Sequence, residues 1–522
     1  MPGIVTRRFR IHNAEQFHEA FSEAASTNMY LFIARVTAWP DDNNPPTPTD
    51  SVQETEYNSW KKMLAAKRVQ SADVTFTIPR YNWTSGKVYR EYSNLSTTLH
   101  DTPASSNGMY VASDTFDVYK CLFNNKGAAS TVAPTGTSTS TLVTADGYHW
   151  KYMYTVDAGN ALKFLTNSWQ PVKTLASDDG SAQWDVQAAA ANGAINIIDV
   201  TAVGNNYRTQ SGTLVAVADG DTMTLSSGAS GTDNIYNGSA LYIASGLGSG
   251  QVREITDYVG ATKVVQLKTV FSTTPNTSST YAVGPLVTIT GDGTGATAYA
   301  NVVIGGANGN TVNYVNMIAV GSNYSEAVVT ITANTSHGSG ATATAYIAPP
   351  GGHGSDAMGE LAGHNVVVNV QLDGSESDTF PIVNDFRTLG ILKDPLVANG
   401  SIASGTSYDI TTQLTVTSVS NAGRYTADET ITGGTSSATG KFVSFANTNS
   451  ANTAGVVRVI DTDGTFTTET ITGGASSVTA TVASIAAKSL QPYTGDVLYT
   501  ENRGPISRAD DQIEDIKLIV KF

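Results

Sequence analysis

Residues 425–434 read YTADETITGG, and residues 466–474 repeat the stretch as FTTETITGG. In both copies a strand-like run of Thr and Ile leads into a Gly-Gly pair, and a second strand-like segment follows. A glycine pair between two such segments is a hairpin signal. Two copies are too few for a solenoid. The repeat therefore predicts small antiparallel β modules built from hairpins.

A different repeat lies upstream. AVGNNY at residues 202–207 recurs as AVGSNY at residues 319–324, and each copy is followed by a VTIT strand and a Gly-Ala-Thr-Ala segment. In the second copy these pieces are close together, whereas in the first copy a long segment separates AVGNNY from its VTIT strand. The spacing predicts a small β domain, from about residue 210 to 284, inserted inside the first copy.

The composition supports a β-rich, multidomain chain. Its 522 residues exceed what one hydrophobic core usually supports. Charged residues make up only 14%, against about 25% in an average soluble protein. They are dense in residues 1–100 and sparse in residues 191–345, where Gly, Ala, Ser, Thr and Asn replace them. The middle of the chain therefore differs in kind from its ends.

Charge and cysteine content exclude several classes of function. The formal net charge of −15 argues against nucleic-acid binding, which needs clustered Lys and Arg. The single cysteine, Cys121, excludes an internal disulfide and a cysteine-based zinc site. No apolar run has the length of a signal peptide or a membrane span. We expect no membrane association, and we expect assembly in the cytoplasm.

The amino-terminal region mixes helices and strands. We expect Asn13 to cap a first helix, Met29 to Val36 to form a buried strand, and a second helix, capped by Thr49 or Asp50, to run to about Arg68. Residues 39–50 read WPDDNNPPTPTD, and four prolines in twelve residues exclude a helix or a central strand. This segment is predicted to be an ordered, extended loop.

Two later strands carry strong patterns. Residues 147–156 place Tyr148, Trp150, Tyr152 and Tyr154 on one face of a strand, and such an aromatic row favours a core position over an interface. At the end of the chain, apolar residues from Ile516 to Phe522 alternate with lysines. We expect this half-buried strand to pair with amino-terminal strands.

The search for catalytic and metal-binding motifs gives little. His353 with Asp356 could suggest a ligand pair, but a solvated Gly-rich loop is the better interpretation. The segment 291–295 (GDGTG) resembles part of a phosphate loop but lacks a following helix, and 461–464 (DTDG) resembles a calcium loop but lacks its final acid. Both are interpreted as turns. We predict no catalytic residue, no metal and no cofactor.

Both ends resemble a known family. YLFIAR at 30–35, the loop 39–51, IPRYNW at 78–83, YKCL at 119–122 with DGYHWKY at 146–152, and YTENRGPI at 499–506 occur in the order found in the T4-type phage baseplate wedge protein, gene product eight. The resemblance covers about residues 1–175 and 495–522. It departs at Gly504, where the family pattern has a second proline, and in the repeat-rich middle.

The composition, the repeats and the extent of the resemblance together indicate a fold and a domain organisation. We expect a mainly β, multidomain chain with a minor α+β part, in which an α+β/β-sandwich scaffold comprises residues 1–190, 351–395 and 490–522. Inserted antiparallel β modules would comprise residues 191–350, with the nested domain 210–284, and residues 396–489. These modules could face solvent, a neighbouring subunit or the host surface.

The resemblance also implies a function. It indicates a non-enzymatic, structural subunit of a contractile tail baseplate in the virion, a homodimer that holds other wedge subunits after assembly in the host bacterium. Rigid loops lose little entropy on binding, and aromatic and Arg side chains dominate interface energies. We therefore predict a protein interface that consists of Trp39, Pro40, Asn43, Asn44, Pro45, Pro46, Asn502, Arg503 and Pro505.

Two alternatives stay open at the level of sequence. Thr/Asn/Gly-rich β chains also form tail-fibre or spike enzymes that degrade polysaccharides, which would require opposed acidic side chains in a groove. A carbohydrate-binding adhesin, with the repeat modules as lectin-like units, is the other alternative. The predicted interface loops could also pack only against their own domain.

Overall fold

The computed structural model describes residues 3–23, 27–100, 107–305, 309–334, 337–382 and 384–522. Strands form most of the ordered elements, so the predicted mainly β, multidomain class is confirmed. The helices are few and mostly short. They are α1 (Arg7–Glu19), a π-helix (Gln53–Asn58), α2 (Ser59–Lys62), 3-10 turns at Ser71–Asp73 and Asn421–Gly423, α3 (Ala158–Phe164), α4 (Ala182–Ala188) and α5 (Ala357–Glu360).

The strands are numbered in chain order. The first eight are β1 (Met29–Ala34), β2 (Met63–Arg68), β3 (Val74–Pro79), β4 (Tyr110–Ala112), β5 (Asp117–Phe123), β6 (Leu142–Val143), β7 (His149–Thr155) and β8 (Trp169–Pro171). The middle of the chain forms β9 (Ile195–Asn205), β10 (Gln210–Thr213), β11 (Ala216–Val217), β12 (Thr222–Thr224), β13 (Ser239–Ser245), β14 (Val252–Val259), β15 (Val264–Leu267), β16 (Thr280–Gly291), β17 (Thr294–Val303), β18 (Thr311–Ser322), β19 (Ala327–Thr332) and β20 (Ser339–Ile347). The remaining strands are β21 (Asn365–Asp373), β22 (Asp385–Lys393), β23 (Ser407–Asp409), β24 (Thr412–Thr417), β25 (Thr430–Gly433), β26 (Thr439–Asn447), β27 (Gly455–Asp463), β28 (Thr470–Gly473), β29 (Thr479–Ala486), β30 (Asp496–Ser507) and β31 (Ile513–Lys521).

The chain divides into two compact units. Unit 1 comprises residues 1–78, 159–165 and 363–522, and unit 2 comprises residues 79–158 and 166–362. Each unit therefore draws on separate parts of the chain. This division does not test the predicted boundaries of scaffold and modules, which stay a prediction.

Two sheets form the centre of unit 1. One has the order β23-β2-β1-β22-β30, and the other contains the run β31-β21-β3. Leu31, Val368 and Leu518 are fully buried and belong to one core cluster. The carboxyl-terminal strand β31 pairs with β21 along its whole length, and β21 pairs with β3 on its other edge. The expectation that β31 pairs directly with amino-terminal strands is therefore wrong, because β21 lies between them.

The hairpin repeat forms a closed β-barrel in unit 1. Its order is β24-β27-β26-β25-β28-β29. The two repeat copies contribute the hairpins β25–β26 and β28–β29, as predicted. β25 and β28 pair antiparallel with Thr432 opposite Thr472, so the copies face each other about a local twofold arrangement. Fully buried Ile431 and Ile471 fill the barrel core from equivalent positions.

Two predictions in the amino-terminal region are wrong. The predicted helix from Thr49 or Asp50 to Arg68 ends at Lys62, and Met63–Arg68 is the buried strand β2 between β1 and β23. Pairing on both edges of β2 outweighs the helix propensity of MLAAKR, because propensity is a weak preference. The first helix begins at Arg7 with Thr6 as its cap, so Asn13 lies inside the helix.

Unit 2 holds the upstream repeat and the aromatic row. β9 and β18, which end in the AVGNNY and AVGSNY motifs, lie in one large sheet with β16, β17, β19 and β20. Strands between β11 and β16 surround a core of their own, with residues from Leu214 to Val283. The four aromatic residues of the row from Tyr148 to Tyr154 are at most 2% exposed, which confirms the predicted core position.

Candidate functional site

The proline-rich loop 39–50 contains neither helix nor strand, and hydrogen bonds between residues close in sequence hold its backbone. Asp42 Oδ1 accepts from the backbone N–H of Trp39 at 2.8 Å, and Asp41 Oδ1 accepts from that of Asn43 at 3.0 Å. Aspartate side chains that accept from nearby backbone N–H groups form turns of this kind. Together with four prolines of fixed φ, these bonds make the loop an ordered segment.

The second predicted segment is a strand rather than a loop. Asn502, Arg503 and Pro505 lie in β30, which pairs with β22. Thr388 is opposite Asn502 and Phe386 is opposite Ile506, so three residues of β30 face the single residue Arg387. This is a β-bulge, where a proline without an N–H group is tolerated. The bulge leaves backbone groups of β30 free for other partners.

Loop 39–50 bonds to one of those backbone groups and to one side chain of β30. The indole Nε1–H of Trp39 donates to the backbone carbonyl of Arg503 at 2.9 Å, and the side-chain amide of Asn502 donates to the backbone carbonyl of Pro46 at 2.9 Å. Gly504 permits this approach, because a Cβ atom there would lie 3.0 Å from the carbonyl oxygen of Asp42. The two predicted segments, more than 450 residues apart in the chain, are therefore one site.

The buried side chain of Arg387 binds the same loop. Its guanidinium forms two parallel hydrogen bonds with the Asp42 carboxylate, at 3.0 and 3.1 Å, and a third bond with the carbonyl of Val36. The hydrogen bonds from Arg387 and from the Trp39 N–H lower the pKa of Asp42 below its ordinary value. The guanidinium of Arg35 lies 3.7 Å from the centre of the Trp39 ring, in a cation–π contact.

The predicted interface residues differ in exposure. Trp39, Asn502 and Arg503 are half-buried, and their polar groups bond within the chain: Arg503 Nε is 2.5 Å from Glu501 Oε1. The residues that remain exposed are named here the Pro-Asn surface, and they are Pro40, Asn43, Asn44, Pro46 and Pro505; Pro45 is half-buried beside them. The sequence prediction did not separate these two roles.

A cleft of about 320 Å³ borders the Pro-Asn surface. It lies between loop 39–50 and the π-helix, and Arg35, Trp39, Glu54 and Lys62 contribute to its walls. The sequence analysis missed Arg35, Asp42 and Arg387 as site residues. The sequence does offer a signal for Arg387: it is a charged residue near the start of a mostly apolar strand, FRTLGILK at 386–393, where a buried cation needs a partner.

Replacing Arg387 with methionine is expected to release loop 39–50. Arg387 is buried and Asp42 is half-buried, so the change removes two charge-assisted hydrogen bonds and should lower the free energy of unfolding by about 2 kcal/mol. Urea unfolding and limited proteolysis measure the two effects. The protease should cleave loop 39–50 faster in Arg387→Met than in the control Lys61→Met, which replaces a half-buried lysine outside this network. Equal cleavage rates in both variants would show that Arg387 does not hold the loop.

Unit 2 contains a buried ionic cluster made of residue types that also occur in catalytic sites. Lys120 Nζ lies 2.7 Å from Glu360 Oε2 and 3.0 Å from His353 Nδ1. Burial and the charge of Lys120 lower the pKa of His353 to about 4, so the ring is neutral at pH 7 and accepts from the lysine. Burial alone would raise the pKa of Glu360, but Lys120 and His353 lower it below its ordinary value.

The surroundings of this cluster favour a structural role. The side chains of Lys120, His353 and Glu360 are between 1% and 4% exposed, so the three polar groups face one another rather than solvent. The expectation of a solvated loop around His353 is therefore wrong: the residue is buried because Lys120, Glu360 and the Tyr92 ring surround it. Among the described residues no group of three or more His, Cys, Asp or Glu side chains could hold a metal ion.

Comparison with known proteins identifies the class. The family model described as Bacteriophage T4, Gp8 matches residues 3–126. The match supports a structural role in the phage virion. Residues 3–126 are similar to the T4 Gp8 family, so the resemblance predicted for the amino-terminal region is confirmed. The match ends at residue 126, and the resemblance of residues 495–522 stays a prediction.

The other comparisons add no argument. No curated protein matches the sequence. A solved structure titled "Virion of native gene transfer agent (GTA) particle" is similar at 10% sequence identity, over 51% of this chain and 82% of that chain, with a TM-score of 0.15. A TM-score this low supports no conclusion about fold. Every helix in the described part of the chain is too short or too polar to cross a bilayer.

Proposed function

We propose that the protein is a non-enzymatic subunit of the baseplate wedge in a contractile phage tail, and that it binds neighbouring wedge subunits through the Pro-Asn surface. One observation carries the proposal: loop 39–50 is fixed to β30 by the Trp39–Arg503 and Asn502–Pro46 hydrogen bonds. A loop held at several points has little conformational entropy left to lose on binding. Its exposed prolines and asparagines then serve as a preformed contact.

The proposal assigns different roles to the parts of the chain. The scaffold of residues 1–190, 351–395 and 490–522 carries the Pro-Asn surface. The modules 191–350 and 396–489 are additions that face solvent, a neighbouring subunit or the host. Self-association as a homodimer belongs to the same proposal, and sedimentation equilibrium of the purified chain tests it. A monomer at micromolar concentration would contradict the homodimer but not the contact with other wedge subunits.

Adding two arginines to the Pro-Asn surface is expected to abolish assembly. The double variant Asn43→Arg/Asn44→Arg places two long, charged side chains where two exposed amides now stand. Asn43 bonds to Asp41 through its backbone N–H, which the substitution keeps, so the variant should retain the fold. A desolvated, unpaired charge at an interface is costly, so affinity for wedge partners should fall at least about 100-fold. Co-purification of the full chain with the other baseplate proteins of the same phage measures the change.

The matched control is the double variant Ser450→Arg/Ala451→Arg, in an exposed turn of the barrel. It adds the same two side chains away from loop 39–50 and should leave co-purification unchanged. Thermal unfolding checks that the double variant keeps the wild-type fold. If the folded double variant still assembles like the control, the Pro-Asn surface is not the wedge contact.

A further inference from the structure

A cleft in unit 2 lies between the four-stranded sheet β4-β5-β7-β6 and the large sheet of the upstream repeat. It measures about 330 Å³, within the range of small-molecule binding sites. One wall consists of Phe123 and His149, which pair across β5 and β7, with Ser140, Thr141 and Val143 beside them. Residues of β9 and β18 form the other wall. All of these residues belong to unit 2, so the cleft is part of one compact body.

The floor of the cleft is apolar. Phe123, Ile198 and Val315 are between 4% and 8% exposed, and all three line it. Ile198 lies opposite Val315 where β9 bridges to β18. The Phe123 ring contacts the His149 ring edge-on, with centroids 5.4 Å apart. A ligand that reaches this floor therefore needs C–H groups to face it.

Unpaired polar side chains surround the floor, and their atoms can be reached. The side chains of four half-buried lining residues form no hydrogen bond within the described part of the chain: Thr141, His149, Asn196 and Asn316. Their nitrogen and oxygen atoms keep surface open to solvent, whereas the unpaired indole nitrogen of Trp150 is shielded from it. Burial lowers the pKa of His149, so at pH 7 its neutral ring offers one donor and one acceptor. Hydroxyl and amide groups also donate and accept, which suits a ligand rich in hydroxyl groups.

The charge on the cleft is positive. Lys126 is the one charged side chain among the described residues that line it, and no carboxylate of the described chain pairs with it. Its ammonium lies 5.5 Å from the centre of the Tyr314 ring, and the Tyr314 hydroxyl bonds to Asn125 at 3.1 Å. The chain as a whole carries a net charge of −15, so an unpaired cation beside a cleft is a local exception. Such a cation attracts an anionic group.

We propose that this cleft binds an acidic oligosaccharide, a chain that contains uronic acid residues. Lys126 pairs with a carboxylate of the sugar, and His149, Asn196 and Asn316 bond to its hydroxyl groups. The apolar floor contacts the C–H face of a sugar ring. A neutral sugar would leave Lys126 unpaired, and a fatty acid would leave the amides and the imidazole unpaired. The site lies outside the Pro-Asn surface and goes beyond wedge assembly.

The test uses the full chain and defined ligands. The acidic ligands are tetragalacturonate, tetramannuronate and a hyaluronan tetrasaccharide. Maltotetraose and chitotetraose are their neutral counterparts, and octanoate carries a carboxylate without hydroxyl groups. Saturation-transfer NMR and titration calorimetry measure binding. We expect at least one acidic tetrasaccharide to bind, and we expect its affinity to fall as salt is added.

Two variants test the assigned side chains. Lys126→Gln should weaken binding at least about tenfold, because it removes a charge-assisted bond, and His149→Phe should weaken it about fivefold, as for loss of one neutral hydrogen bond. The matched control for the charge is Lys87→Gln, since Lys87 is an exposed lysine of unit 2 that does not line the cleft. It should bind like the wild type. Because the side chains of Lys126 and His149 form no hydrogen bond in the described chain, both variants should keep the wild-type Tm.

Four results would overturn the proposal. They are no binding of any acidic tetrasaccharide, equally tight binding of a neutral tetrasaccharide or octanoate, equal affinity in Lys126→Gln and Lys87→Gln, and wild-type affinity in His149→Phe. Cleavage of the bound sugar would also overturn it, because the cleft would then be an enzyme site. The variant Asn43→Arg/Asn44→Arg should still bind the sugar, and Lys126→Gln should still co-purify with the baseplate proteins. These two outcomes keep the test separate from that of the Pro-Asn surface.

Discussion

Replacing Lys120 with methionine is expected to lower the free energy of unfolding of unit 2 by about 3–5 kcal/mol. Lys120 and Glu360 are almost fully buried and 2.7 Å apart, so the change leaves a carboxylate in the interior without its counter-charge. Burial is the largest cause of the lowered His353 pKa and persists without Lys120, so the imidazole compensates the Glu360 charge only in part. The backbone N–H of Gly354, which also bonds to Glu360, compensates only in part.

Differential scanning calorimetry and urea unfolding measure this effect on the full chain. The control is Lys268→Met, which breaks an ion pair of similar length, 2.6 Å, whose lysine is 63% exposed. Exposed ion pairs contribute about 0–1 kcal/mol, so the free energy of unfolding of the control should be almost unchanged. The double variant Lys120→Met/Glu360→Met should regain much of the loss, since an apolar pair carries no unpaired charge. A Lys120→Met protein as stable as the Lys268→Met protein would show that the cluster does not stabilise unit 2.

Replacing Glu469 with alanine is expected to lower the free energy of unfolding of the barrel by about 3 kcal/mol. The buried carboxylate accepts from the backbone N–H groups of Thr435, Ser436 and Thr467 and from the Ser436 hydroxyl. It therefore closes the Gly-Gly turn of the other repeat copy. Glu429 does the same for the turn at Ala475 and Ser476, so Glu429→Ala should have a similar effect.

The same carboxylate predicts a dependence on pH. Burial alone would raise the pKa of Glu469, but the Ser436 hydroxyl and the backbone N–H groups lower it to about 2, from an ordinary value of 4.5. A lowered pKa stabilises the fold above the ordinary value, and this contribution is lost as the pH falls from about 4.5 to about 2. Glu469→Gln should therefore flatten the acid branch of barrel stability.

Hydrogen exchange of β25 and β28 reads barrel stability within the full chain. The control Asp463→Ala removes an exposed carboxylate from the same barrel and should leave exchange unchanged. Equal protection in Glu469→Ala and Asp463→Ala would disprove the turn-closing role. An acid branch that persists in Glu469→Gln would assign the pH dependence to other carboxylates.

The repeat and the aromatic row show how far sequence reasoning reaches. The hairpins at 425–434 and 466–474 and the buried row from Tyr148 to Tyr154 were predictable, because alternation and glycine turns act between near neighbours in the chain. The helix over residues 50–68 was wrong after Lys62, since its outcome depended on strands that pair with it from distant segments. Local sequence preference determines whether a segment is helix or strand only where no distant strand can pair with that segment.

The candidate site divides in the same way. The rigid, irregular character of loop 39–50 follows from its prolines, which fix φ and remove donors, and the mainly β class follows from the composition and the repeats. The contact of Trp39 with Arg503 and the closure of each Gly-Gly turn by the glutamate of the opposite repeat depend on the tertiary structure. Such contacts join residues far apart in the chain, and their geometry depends on the packing of whole sheets, which no local pattern encodes.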